Sequence, residues 1–129
     1  MTDSHDAPDD AVELAHQLLD LARRGETERL TAYVDAGAPV DLAGADGNTL
    51  LMLAAYHGHA DLVGALAERG ADVDRLNSRF QSPLAGAIFK GEADVVTTLL
   101  EAGADPDAGQ PSARGTAEYF GRTDLLPPV

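Results

Sequence analysis

Glycines recur along this chain at intervals of 33 residues, with Gly25, Gly58 and Gly91 in one series and Gly37, Gly70 and Gly103 in another. A fixed period of that length means stacked copies of one small unit, each unable to bury its apolar face without a neighbour. Laying residues 44–76 over 77–109 matches 12 of 33 positions identically. The matches include Leu51/Leu84, Ala54/Ala87, Asp61/Asp94, Val63/Val96, Leu66/Leu99 and Glu68/Glu101. Gly-Ala-Asp-x-Asp occurs at 70–74 and again at 103–107, and Gly37-Ala38-Pro39-Val40-Asp41 is a diverged upstream copy.

Each unit reads as helix, tight turn, helix, extended turn. Thr49 and Ser82 stand where a first helix begins, and their hydroxyls can accept from an orphan backbone N–H of the first turn. Pro83 follows at the first helical position, where a missing N–H costs nothing. The run from Leu50 to Ala55 is a short apolar helix ending at Gly58. Asp61 and Asp94 are expected to cap a second helix, in which Leu62, Val63, Leu66 and Ala67 form one apolar stripe. Gly70 and Gly103 end it by turning the chain left-handed. Helices of about 8 to 10 residues are not stable alone and must shield one another in a stack.

These residues resemble a known family. Gly47-x-Thr49-x-Leu51-x-x-Ala54-Ala55-x-x-Gly58-His59-x-Asp61-Leu62-Val63, followed by Gly70-Ala71-Asp72-Val73-Asp74, is similar to the ankyrin repeat. Ser82-Pro83-Leu84 with Ala87, Gly91, Val95-Val96, Leu99-Leu100 and Gly103-Ala104-Asp105 repeats the likeness, so two copies cover 44–109. Met52 and Ala85 stand where the family's usual His follows the Leu, and Leu50 replaces Pro in the first copy; these departures weaken hydrogen bonding at the helix start. The resemblance implies an all-α repeat stack, an α-solenoid of helix-turn-helix units with short β-hairpin-like turns.

The ends read as caps. Residues 11–43 keep the spacing but replace the opening hairpin with a longer helix from Ala11 to Arg24. Residues 110–129 bring Ala117 and Gly121 into the register of Ala87 and Gly91 only if the connecting turn loses three residues. Asp124-Leu125-Leu126 starts a second helix that Pro127-Pro128 cuts off. The expected array is thus two full repeats, 44–76 and 77–109, between degenerate ones at 11–43 and 110–129. Residues 1–10 read as an acidic disordered tail, and 11–129 as a single domain.

Twenty-two acidic residues against nine Lys plus Arg leave a net charge of -13. Such a surface repels phosphates and anionic lipid, so a protein partner is expected, with no nucleic acid and no membrane. No Cys is present, which excludes disulfides and thiolate metal sites. The first ten residues hold four Asp and no Lys or Arg, the reverse of a secretory signal, so the cytoplasm is the expected location and a monomer the expected state.

The resemblance implies that partners are gripped by a concave face of turn tips and first-helix ends. By register these positions are Arg23, Arg24, Tyr56, His57, Phe89, Lys90, Tyr119 and Phe120, joined at the tips by Asp46, Asn48, Leu76, Arg79, Phe80 and Gln81. Five of the six aromatics fall there, and Tyr33 alone takes a core register. Four of nine basic residues lie on the same strip, against one acid, Asp46. Aromatic and Arg side chains are the types enriched at binding hot spots. Such a strip would suit a segment with apolar anchors and acidic groups.

A second account competes for the charges. Arg24, His57 and Lys90 sit in last helical turns, where a cation offsets the helix dipole by about 0.3 to 1 kcal/mol without any partner. Phe80 could fold onto the next turn, and Tyr119 and Phe120 could seal the stack. His57 and His59 lack a third ligand for a metal, and the acids around Asp41, Asp46, Asp72 and Asp74 lack calcium-loop spacing and read as solvated turn residues. No dinucleotide, phosphate-loop or Ser/His/acid constellation is present. The expectation is a non-catalytic protein-binding module without cofactor, acting as a regulator or inhibitor. The alternative is an acidic decoy covering the basic site of a cationic protein.

Overall fold

A computed structural model describes residues 6–127. Its helices run in successive pairs: α1 Asp6–Arg24 with α2 Thr27–Asp35, α3 Leu50–Tyr56 with α4 Ala60–Glu68, and α5 Pro83–Lys90 with α6 Ala93–Glu101. The last unit is α7 Ala113–Tyr119 followed by a 3-10 turn at Thr123–Leu125. First helices stack as one layer, α1 on α3 on α5 on α7, and second helices as another, α2 on α4 on α6. The hairpin-like turns carry only isolated antiparallel bridges, Ala43 with Thr49 and Gly109 with Ser112. No helix among the described residues is long and apolar enough to cross a membrane.

The positions that repeat are the ones that pack. Leu51, Leu84, Val63, Leu66 and Leu99 are fully buried, and Ala54 and Ala87 leave no surface exposed between neighbouring first helices. Side chains this small let α3 and α5 approach closely, while the matching Asp61, Asp94, Glu68 and Glu101 stay on the solvent side.

Helix starts follow two rules, and only the first was legible. Thr49 accepts from Met52 N at 3.1 Å and Ser82 from Ala85 N at 3.0 Å, with Ser112 doing the same for Gly115 N at 3.0 Å. The second helices open differently. Their N-cap positions are Glu26, His59 and Glu92, none with a side-chain cap bond, and Asp61 and Asp94 lie inside the first turn. The expectation that these two Asp cap the helix is therefore corrected. Their carboxylates act on the positive end of the dipole from within the helix.

The ends depart from the repeat in ways the packing explains. Helix α1 opens at Asp6, ahead of the expected Ala11 start, so residues 6–10 are helical rather than part of a disordered tail. The remainder of that expected tail, 1–5, lies outside the described residues, as does Pro128. Tyr33 occupies the register of the buried Leu66, yet 38% of its surface is exposed. Among the described residues no repeat stands ahead of α1 and α2 to cover it, so its core register buys no core environment. At the far end Arg114 and Glu118 replace Leu84 and Ile88, and Arg114 Nε donates to Asp107 Oδ1 at 2.9 Å. Polar side chains there stand in place of the apolar ones of α5. The expected short second helix is reduced to the 3-10 turn, with Leu126 buried against the core.

Candidate functional site

Along the open side of α3, α5 and α7 lies a groove of about 600 Å³. Its floor alternates large and small: Met52 and Leu53 from α3, Ala85 and Gly86 from α5, Thr116 from α7. Gly86 stands where the preceding repeat has Leu53. A Cβ there would have Tyr56 Cδ1 at 3.7 Å and Met52 Sδ at 3.8 Å, so the missing side chain leaves a notch walled by both. Tyr56, Phe89 and Phe120 line the groove with 38%, 49% and 45% of their surface exposed. Phe89 and Phe120 meet edge to face at 5.3 Å between ring centroids. That geometry holds the rings in place without burying them.

The opposite wall is made by the turn tips and is polar. Asn77 Oδ1 accepts from the backbone N–H groups of Arg79 at 2.9 Å and Gln81 at 3.0 Å. Its Nδ2 donates to Asn48 Oδ1 and to Gln81 Oε1, both at 2.8 Å. Asn48 in turn donates through N and Nδ2 to the two oxygens of Asp46, each at 3.0 Å. The tips of adjacent repeats are further joined by Ser78, whose N and Oγ both donate to Asp46 O.

At the helix-end side, the residues after Gly58, Gly91 and Gly121 reach back across the stack. His59 Nε2 lies 2.7 Å from Arg23 O, and Arg122 Nη1 donates to Ile88 O and Phe89 O at 2.7 Å. A Cβ on Gly25 would overlap the His59 ring, which is why that position admits no side chain. Between them, Glu92 brings a carboxylate against Gly58. A carboxylate has no proton to give the α3 carbonyls, so the middle joint lacks the clamp its neighbours have.

Of the residues expected on the strip, Asp46, Asn48, Tyr56, Arg79, Gln81, Phe89 and Phe120 line the groove. Lys90 lies at its edge with Nζ 4.9 Å from the centre of the Tyr56 ring, and His57 packs edge-on to Tyr56. Arg23 gives its carbonyl to His59, and Arg24 is paired with Asp20 at 2.6 Å and Glu26 at 3.6 Å. Leu76 turns toward Gly109 of the next tip. Phe80 does not fold onto the next turn with its ring, which is 62% exposed; its carbonyl makes that contact, accepting from Gln110 N at 2.9 Å. Tyr119 is 84% exposed and seals nothing, standing beside a smaller cleft with Pro111, Gly115, Thr116 and Phe120.

Residues missed by sequence reasoning are Met52, Leu53, Asn77, Ala85, Gly86, Pro111 and Thr116. Most sit in apolar helical runs that look like core, and the size drop from Leu53 to Gly86 was the available signal. The turn acids also do more than face water. Asp41 Oδ1 accepts from Asp72 N at 2.9 Å and Asp74 Oδ1 from Asp105 N at 2.8 Å, stitching successive loops.

His57 has a pKa below its ordinary value of 6.5, first because of desolvation and then because of electrostatic repulsion from His59, Lys90 and Arg23, with Glu92 opposing. The native chain therefore binds this proton less readily than the unfolded chain. The contribution is intact above about 6.5, the unfolded value, and is lost as pH falls through the lowered native one. Urea midpoints of the parent and His57→Gln should diverge on acidification through that window, with the parent falling further. Parallel curves would show that His57 carries no linkage.

A family model for ankyrin repeats, in three copies, matches residues 16–110. A 49-residue stretch is 53% identical to a putative ankyrin repeat protein of Pseudomonas aeruginosa. That stretch is 38% of this chain and 29% of the relative, so most of the relative's length lies outside the likeness. With helix pairs stacked in two layers at a 33-residue period and the family model covering most of its length, the chain belongs to the ankyrin-repeat family.

Proposed function

We propose that this protein is a non-catalytic recognition module that holds a protein segment in the groove between its first helices and its turn tips. Ankyrin repeats generally mediate protein–protein interaction and are typically non-catalytic. One observation carries the finer reading. Three half-exposed rings, Tyr56, Phe89 and Phe120, converge on a single concavity of a chain whose net charge is -13, and the one acid lining that concavity, Asp46, is already hydrogen-bonded to Asn48. A surface kept only for solubility would share the acidic bias of the rest. Aromatic side chains bring large contact area at little cost in rotamer entropy, which is what an anchor-binding groove needs.

The acidic-decoy alternative draws on the same net charge and would place the contact on the outer acidic surfaces rather than in the groove. Salt separates the two readings, since a charge-driven complex weakens steeply with ionic strength and an aromatic one little.

The test is capture of partner by the parent chain and by Tyr56→Ala/Phe89→Ala, each checked for an unchanged urea midpoint. The double variant is expected to bind about tenfold more weakly or worse, because hot-spot rings cost about 2 kcal/mol or more on truncation. Equal retention of prey by both proteins would remove the groove from the account.

A further inference from the structure

The orientation of one amide sets the chemistry of the groove's polar wall. Asn77 turns its oxygen to two backbone N–H groups, so its Nδ2 must face Asn48 and Gln81. Those two side chains are thereby obliged to present oxygens to it. Gln81 is left with its NH2 group as the free end, and among the described residues that group has no acceptor. Next to it, the Arg79 guanidinium makes no ion pair among the described residues. The rim at this point offers the Gln81 amide N–H and the Arg79 guanidinium as free donors, beside the Asp46 carboxylate, whose two oxygens each accept from Asn48.

Phe80, between them, is the second observation. It stands one period after Gly47, and both are left-handed, with φ 63° at Phe80 and 79° at Gly47. An L residue is strained there and glycine is not. The ring is largely exposed, so burial inside this protein does not offset the strain. The left-handed turn lets the Phe80 carbonyl accept from Gln110 N of the next tip while its ring stays exposed beside Arg79 and Gln81.

We infer that the tip Arg79-Phe80-Gln81 reads a carboxylate on the partner, next to an apolar side chain that fills the notch over Gly86. This rests on the groove being the binding surface. From Pro83 to Gly86 is roughly 4.5 Å along α5 at about 1.5 Å per residue, and the two extended residues ahead of the helix add up to about 6.6 Å to reach Gln81. An extended segment covers that distance in about two to three residues. The fitting occupant is therefore an Asp or Glu side chain, or a chain-terminal carboxylate, about two to three residues from a Leu, Ile or Phe anchor.

A displayed library of random 12-residue peptides, selected on the full chain and counter-selected on Tyr56→Ala/Phe89→Ala, tests this. Survivors are expected to carry an acid about two to three residues from an apolar anchor. Synthetic copies with the acidic side chain replaced by its amide, and with the C-terminus free or amidated, identify which carboxylate is read. Gln81→Glu keeps an oxygen for Asn77 but replaces the free donor with a charge of the wrong sign, so it should weaken binding about tenfold or more. Phe80→Gly should weaken binding while raising the urea midpoint, a pair of opposite effects that a purely structural Phe cannot produce. Peptides that need the groove but lack an acid, or that bind Gln81→Glu as well as the parent, overturn the carboxylate assignment and leave the groove standing. Peptides that bind the double variant equally, or a selection that enriches none, overturn both.

Discussion

Gly47→Ala is expected to lower stability by about 3 kcal/mol or more, read as a shifted midpoint in urea with the slope unchanged. Two costs add. A left-handed alanine loses about 1 to 2 kcal/mol. In addition, its Cβ would stand 2.7 Å from Ser78 N and 3.1 Å from Asn77 Cα, and backbone cannot swing aside as a side-chain end can. The two central tips would have to part by a fraction of an ångström, breaking the short bonds from Ser78 to Asp46 O. Gly121→Ala is the control. It has φ 67° and nothing within 4 Å of the added carbon, so it should lose only about 1 to 2 kcal/mol. Equal losses at both sites would show that the tip contact contributes nothing beyond backbone preference.

Asn77→Ala should cost about 2 to 4 kcal/mol, a large amount for a polar residue in a turn. Asn77 is buried, and its one side chain satisfies two backbone donors and two side-chain oxygens. Alanine leaves all four without that partner, in a place where water reaches only part of them. Amide exchange should quicken at Arg79 and Gln81 in particular, since these are the N–H groups that lose their acceptor. A variant with unchanged exchange at those two amides and a midpoint within error of the parent would refute the role given to Asn77.

The contrast between these sites explains what was legible in the sequence. The period, the Leu and Val positions of the core, the Thr49 and Ser82 caps and the aromatic strip are all encoded by residue type at a fixed interval, and interval is what one sequence displays. Asn77 was invisible because its role depends on a partner in the preceding repeat, Asn48, and on the direction of an amide. The groove floor was hidden for a different reason. Met52, Ala85 and Gly86 lie in apolar helical runs, and a run does not tell whether its neighbour's side chain is present to cover it. Asp61 and Asp94 misled because an acid near a helix start favours the first turn almost as well as the cap itself. Tyr33 misled because register assumes a neighbour on each side.

The uneven lacing of the middle joint has a mechanical consequence. The outer interfaces are tied at the helix ends by His59 and Arg122, the last one also at its tip through Gln110 N on Phe80 O, whereas the central one is tied at its tips by Asn77 and Ser78 and has at the other side Glu92 against Gly58 and Lys90 over Tyr56. The two central units thus resemble facing pages bound along one spine, with Tyr56 and Phe89 near the free edge. Parting those rings means lifting Lys90 from the face of Tyr56, a contact made at the surface, and breaks no hydrogen bond between the helix ends.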